Sequence, residues 1–263
     1  LAKPHAPARQ LTLVFGTKLE SSLRQRLMPK YEAFLDAFPT PGALAKAPLG
    51  DALRLWSGLG YPRRCRNLQA TAVVLHGQFD DQMPDSIDEL LKLPGIGQYT
   101  ARAVLAFAHR IDVAVVDVNV SRVLSRLEGV SMKARALQTF ADELVPQGLG
   151  WEWNQVMMDF GARHCTVRSP LCGSCPVRAQ CKYKGIGDDP AQLSAGVSKP
   201  QPRFEGSDRQ ARGRALRAVG DGSQLISDVI EAMRVDEGRA EKLIASLVDE
   251  GLLQRTGNTV TLP

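Results

Sequence analysis

Cys165, Cys172, Cys175 and Cys181 follow one another as C-x6-C-x2-C-x5-C. Four soft sulfur ligands so crowded suit a metal site, and the spacing alone fits tetrahedral zinc and a 4Fe-4S cluster equally well. The fifth cysteine, Cys65, stands far upstream and reads as an ordinary packed or surface residue. This clustering is unlike the dispersed cysteines of a disulfide-stapled secreted domain. A second constellation lies upstream, where LPGIGQYTAR (93–102) interrupts apolar helical sequence with a proline and two glycines. Gly95 and Gly97 bracket Ile96, and a new helix is expected near Gln98. The first amides of that helix, at Gln98, Tyr99 and Thr100, would lack intrahelical partners and could face an anion such as a DNA phosphate. Taken alone, such a turn is equally a plain helix connection that uses the freedom of glycine. Asp117 follows an apolar stretch and precedes another helix. That makes it a helix N-cap, or a carboxylate held beside a substrate that gains positive charge.

The elements that must position these residues read as mostly helical. From Tyr31 to about Ala162 short amphipathic stretches recur between Pro and Gly breaks, with apolar residues at three- and four-residue intervals. The short DVAVV (112–116) could pass as a strand. The 263 residues are 44% hydrophobic, enough for one large domain or two unequal ones. Lys and Arg number 33 against 28 Asp and Glu, so the formal net charge of +5 favours a polyanionic partner without naming one. No apolar run approaches the roughly 20 residues that span a bilayer, and no signal-type stretch follows the basic opening segment. The expected compartment is the cytoplasm. Residues 185–207 are rich in Gly, Pro, Ser and charge and read as a linker. Residues 208–263 then read as three helices and a hairpin turned by Gly257-Asn258, a small winged-helix-like module. Residues 1–184 form the main domain.

Together, LPGIGQYTARAVLAF and VDVNVSRVL resemble the helix-hairpin-helix and aspartate loop of the DNA glycosylase superfamily that includes endonuclease III. The resemblance implies a mainly α fold in which Gly95 to Thr100 grip DNA and Asp117 is the catalytic aspartate. Tyr99 stands where endonuclease III carries its Schiff-base lysine, which implies a monofunctional glycosylase. The cysteine spacing, just after the final helix WNQVMMDFGARHC, is similar to that of the iron-sulfur branch, so the resemblance selects a 4Fe-4S cluster over zinc. Its role would be structural, pinning a loop whose Arg163, Arg168 and Arg178 could face phosphates.

Within the superfamily, FPTPGALAKAPLGDALRLWSGLGYPRRCRNLQATA is similar to the MutY-type adenine-specific mismatch glycosylases, and the similarity spans roughly 28–182. It implies that Tyr61 is a wedge entering the duplex, with Arg63, Arg64 and Arg66 on phosphates. The expected partner is double-stranded DNA with adenine opposite 8-oxoguanine or guanine, bound by a monomer at the nucleoid. Base flipping fits the chemistry, because a base must leave the stack before its glycosidic bond is attacked. A glutamic acid would protonate the adenine while Asp117 stabilises the sugar cation. The first 23 residues depart from the pattern: the glutamate position is occupied by Gly16, and Glu20, four residues on, is the candidate substitute. The opening Leu in place of Met fits an incomplete, diverged or misread start. The tail departs too, being too short for the family's 8-oxoguanine-reading domain, although Arg209, Arg212, Arg214 and Arg217 could lie along DNA. Rival readings are a thymine or uracil mismatch glycosylase, a catalytically impaired mismatch-binding homologue, and a zinc-holding transcription regulator.

Overall fold

The computed structural model describes residues 21–196, 202–220 and 222–263. Its first helices are α1 (Ser21–Ala37), α2 (Pro41–Lys46), α3 (Leu49–Trp56), α4 (Pro62–Gln78), α5 (Ile87–Leu90) and α6 (Gln98–Phe107). Then come α7 (Val118–Glu128), α8 (Ala134–Glu143), α9 (Gly150–Arg163), α10 (Asp208–Ala218), α11 (Ile226–Met233) and α12 (Glu237–Asp249). Three short strands complete it: β1 (Gln224–Leu225), β2 (Gln254–Thr256) and β3 (Thr259–Thr261). No helix among the described residues is long and apolar enough to cross a membrane. Gly16 and Glu20 lie outside the described residues. The helix expected at Tyr31 begins earlier, at Ser21, and runs through Pro29.

The chain divides into two compact units. One comprises residues 1–84, 93–95 and 201–263, and the other residues 85–92 and 96–200. In the first unit Thr40 caps α2 by accepting a hydrogen bond from the Ala43 amide at 3.1 Å, and Pro41 takes the first helical position. Phe34 meets Phe38 and Trp56 edge to face, with centroids 5.0 and 5.9 Å apart. The same hydrophobic core continues without a break into Ala215, Met233, Ile244 and Leu247 of the C-terminal helices. The tail expected as a small module of its own therefore shares its core with the first helices of the chain. Its apolar side chains join one cluster with Phe38, Leu53 and Trp56 rather than closing a core of their own. The antiparallel sheet runs β1-β3-β2, and the hairpin expected at Gly257-Asn258 joins β2 to β3.

The second unit is built on Ala106, Val115, Val120, Leu124, Leu137 and Met158. Ser86 caps α5: its hydroxyl accepts from the Glu89 amide at 3.3 Å and donates to the Glu89 carboxylate at 3.0 Å. The stretch 112–116 forms no strand. Its backbone is held by side chains instead. Asp142 accepts from the Ala114 amide at 2.9 Å, Asn154 accepts from the Val115 amide at 2.7 Å, and the Asn154 amide group donates to the Val113 carbonyl at 2.8 Å. Part of the expected linker is also packed. A 3-10 turn at Pro190–Leu193 buries Ala191, and the Ser194 hydroxyl pairs with that of Ser125 in α7 at 2.7 Å.

Candidate catalytic and DNA-binding site

The stretch 112–116 delivers Asp117, itself in an extended conformation, to the start of α7. Its Oδ1 accepts from the amides of Asn119 and Val120, both at 2.8 Å, and its Oδ2 accepts from the Asn119 side-chain amide at 2.7 Å. The N-cap role is thus real, but a cap needs none of what stands behind it. Asn119 Oδ1 accepts from Arg122 at 3.0 Å, and Arg122, only 7% exposed, donates on to the carbonyls of Gly161 at 2.6 Å and Cys165 at 2.8 Å. A β-carbon on Gly161 would come within 2.7 Å of Asn119, so glycine is required there for α9 to lie against this network. Asp117 is oriented through two further side chains by the backbone at the first cysteine.

Arg126, one helical turn beyond Arg122 and 2% exposed, organises the cysteine loop. It pairs with both carboxylate oxygens of Asp189 at 3.0 and 2.6 Å and donates to the carbonyls of Thr166 and Val167. It also reaches the Cys165 sulfur at 3.4 Å. Burial pushes the Cys165 thiol up, and the nearby Arg126 guanidinium opposes the shift. The Cys181 sulfur takes the Lys184 amide at 3.5 Å, and Arg178 braces the loop by donating to the carbonyls of Cys172 and Lys184. Gly185, at φ +80°, passes so close that a β-carbon would sit 3.0 Å from the Cys172 sulfur. All four cysteines line one cavity of about 370 Å³ walled by Trp153, Met157 and Phe160. Among the described residues no three His, Cys, Asp or Glu side chains are grouped as ligands of a single ion. The donor set nevertheless fits a thiolate-held cluster: four sulfurs open to one space, with arginine and backbone N–H groups directed at them. Cys65 is a different kind of residue, 1% exposed, its thiol pushed up by burial to about 12.

At the hairpin the two glycines differ. Gly95 has φ +75°, and a β-carbon there would lie 2.5 Å from the Asn67 side chain, while the neighbouring Pro94 carbonyl is tied to the Thr71 hydroxyl at 2.8 Å. Gly97 has ordinary extended angles and open space around it. It is the N-cap of α6, and no side chain caps that helix, so the amide-lined start expected at Gln98 is present. Tyr99 is 46% exposed and Thr100 half-buried.

Tyr61 is 55% exposed and stands at φ +48°, a left-handed conformation costing a tyrosine about 1–2 kcal/mol. Gly58 and Gly60, both at positive φ, shape the turn, and Trp56 Nε1 donates to the Gly60 carbonyl at 2.9 Å. The ring stands out from the core. Of the arginines that follow, Arg64 is exposed, whereas Arg63 forms a two-pronged pair with Glu250, both bonds 2.6 Å. Arg66 donates to the Glu250 carbonyl, and Arg212 brings a second guanidinium to the carboxylate at 2.6 Å. The Arg63 guanidinium, foremost among these groups, lowers Glu250 to about 2. Asn119, Arg122 and Arg126 escaped the sequence reading. Their signal was two arginines four residues apart on the apolar face of a helix that opens with the aspartate.

Residues 17–147 match the family described as HhH-GPD superfamily base excision DNA repair protein. The chain is 36% identical over 265 residues to the adenine DNA glycosylase of Mycolicibacterium smegmatis, spanning 97% of this chain and 87% of that one. It is 34% identical over 252 residues to the adenine DNA glycosylase of Mycobacterium tuberculosis, spanning 93% and 82%. Among solved structures it resembles a thermostable thymine-DNA glycosylase, with a TM-score of 0.61, 25% identity, and coverage of 70% of this chain and 86% of that one. With a hairpin, a buttressed aspartate and this likeness across nearly its whole length, the chain belongs to the HhH-GPD superfamily of base excision DNA repair proteins.

Proposed function

We propose that the protein is a monofunctional adenine DNA glycosylase of base excision repair, acting on adenine opposite 8-oxoguanine or guanine. The observation that carries the reading is the likeness, over 97% of the chain, to an adenine DNA glycosylase. The absence of a lysine at Tyr99 supports hydrolysis without a Schiff base. In this reading the hairpin from Gly95 to Thr100 holds backbone phosphate, Tyr61 fills the gap left by the flipped base, and the adenine is protonated on a ring nitrogen by an acid. As the glycosidic bond breaks, Asp117 stabilises the oxocarbenium-like sugar, and water completes the hydrolysis. Asn119 and Arg122 keep the carboxylate aimed while charge develops, so little reorganisation accompanies the step. Glu20 is the candidate acid. Cys165, Cys172, Cys175 and Cys181 would hold a 4Fe-4S cluster, which would supply a structural tie for the loop braced by Arg126. Residues 208–263 would be a winged-helix-like module, and the enzyme would work as a monomer at the nucleoid.

Single-turnover release of adenine from a duplex carrying A opposite 8-oxoguanine tests the reading. Release by the unaltered chain, reduced at least about 100-fold in Asp117→Asn, is the expected result. Glu20→Gln is expected to abolish it as well, and full activity in that variant would remove Glu20 from the mechanism. Iron at about four atoms per chain is expected, and bound zinc instead would refute the cluster. The resemblance to a thymine-DNA glycosylase structure favours a second reading, thymine removal from T·G mispairs. The same assay with a T·G duplex decides between them.

A further inference from the structure

A groove of about 380 Å³ opens in the first unit between the turn that carries Tyr61 and helix α10. Gly58 and Gly60 form one wall, and the other is the face of α10 around Gly213 and Arg217. Three arginines line it, Arg54, Arg209 and Arg217, and no acidic residue does. Arg54 is anchored to the Gly220 carbonyl at 2.8 Å and to Asp51 at 2.5 Å. The Arg209 guanidinium lies 5.7 Å from the ring of Phe204, a phenylalanine 59% exposed at the rim. Arg217 is exposed and has no side-chain hydrogen bond or ion pair among the described residues.

Gly213 supplies an independent observation. It lies inside α10, it is exposed, and its backbone is ordinary helix, so an alanine would serve the helix better. A β-carbon there would meet nothing within 4 Å. Neither the backbone nor the packing of the protein calls for glycine at this point. What glycine does provide is bare helix surface between cationic walls, where a chain from outside can come close.

From this juxtaposition we infer that the groove seats a stretch of DNA strand beside the Tyr61 turn, with its phosphates on Arg217, Arg209 and Arg54 and a base or sugar face against Phe204. The combination of arginines, an exposed aromatic ring and a bare backbone is what a strand of nucleic acid needs: charge for its phosphates and a flat apolar surface for its bases. The inference rests on the reading above, in which Tyr61 enters a duplex. A strand entered by Tyr61 passes Gly58 and Gly60, the groove wall, so wedge and groove act on adjoining nucleotides.

The test uses the full chain and a fluorescent duplex carrying a non-cleavable 2′-fluoro-adenosine opposite 8-oxoguanine, titrated over a range of KCl concentrations. Arg217→Ala is expected to weaken binding about three- to tenfold and to reduce the slope of log K against log salt by about one. Gly213→Ala is expected to raise Tm by about 1–3 °C and yet weaken binding about fivefold, a split that a structural role for the glycine would not give. Unchanged affinity and unchanged salt slope in both variants, with Tm raised in Gly213→Ala, would overturn the groove. Adenine release by the unaltered chain, followed in parallel, keeps the two readings apart. Groove-dependent binding without adenine release would refute the glycosylase reading alone, and release with groove-independent binding would refute the groove alone.

Discussion

Replacing Asn154 with leucine tests how Asp117 is held. Asn154 is fully buried, and its side chain satisfies the Val115 amide at 2.7 Å, the Val113 carbonyl at 2.8 Å and the Gly150 carbonyl at 2.8 Å. Leucine has the same branching but a larger volume, so no cavity opens, and some overpacking adds to the loss of the polar groups. The Gly150 carbonyl keeps its place in α9. The Val115 amide and the Val113 carbonyl lose their partners, and with Ala114 and Val115 at 0% exposure water cannot replace what is lost without local opening. At about 1–3 kcal/mol for each of the two orphaned groups, the variant should lose about 2–6 kcal/mol, a large share of the total for a domain of this size. Urea unfolding measures that loss. Amide exchange at Val115 locates it, because protection there should fall further than at Leu124 in the core. Single-turnover base release should drop too, since the stretch ahead of Asp117 would fray. A loss under about 1 kcal/mol with Val115 still protected would refute the argument that side chains substitute for a missing strand.

Gly95→Ala should cost about 1–3 kcal/mol by thermal unfolding, from its φ of +75° and the 2.5 Å approach to Asn67, whereas Gly97→Ala should leave stability within about 0.5 kcal/mol and weaken DNA binding. Equal Tm losses in the two variants would show that the hairpin glycines are needed for folding alone. Glu250, lowered from its ordinary 4.5 to about 2, contributes stability above pH 4.5 that is lost as the pH falls toward 2. The full shift corresponds to about 3 kcal/mol, and since Arg63 is largely exposed about 1–2 kcal/mol is expected. The advantage of the wild type over Glu250→Gln should therefore shrink between pH 4.5 and 2, and parallel unfolding curves across that window would refute the pairing.

What was legible in the sequence was local. Pro94, Gly95 and the helix start at Gln98 announced the hairpin, because turn chemistry is written within a few residues. Asp117 stood out as a carboxylate between an apolar stretch and a helix. The cysteine spacing marked the loop, and Gly257-Asn258 marked its hairpin. What stayed hidden depends on partners distant in the chain. The residues that hold 112–116 in place of a strand, Asp142 and Asn154, lie 28 and 39 residues beyond the amides they serve. The grip of Glu250 on Arg63, an arginine expected on phosphate, crosses 187 residues. Composition made 185–207 a linker, but Ala191 and Ser194 are buried, because small residues between prolines can pack as well as float.

The shared core of the first unit also bears on how the chain leaves the ribosome. Residues 96–200 are contiguous, and once they have emerged their hydrophobic cluster has its full complement of parts. Residues 27–72 emerge before that unit yet must wait, because Phe38, Leu53 and Trp56 share a core with the later helices α10 to α12, and the Gly50 amide binds the carbonyl of Pro263. Synthesis should therefore complete the middle of the protein before its beginning. Until α10 to α12 arrive, the nascent chain presents an uncovered aromatic surface, the kind of surface on which chaperones act.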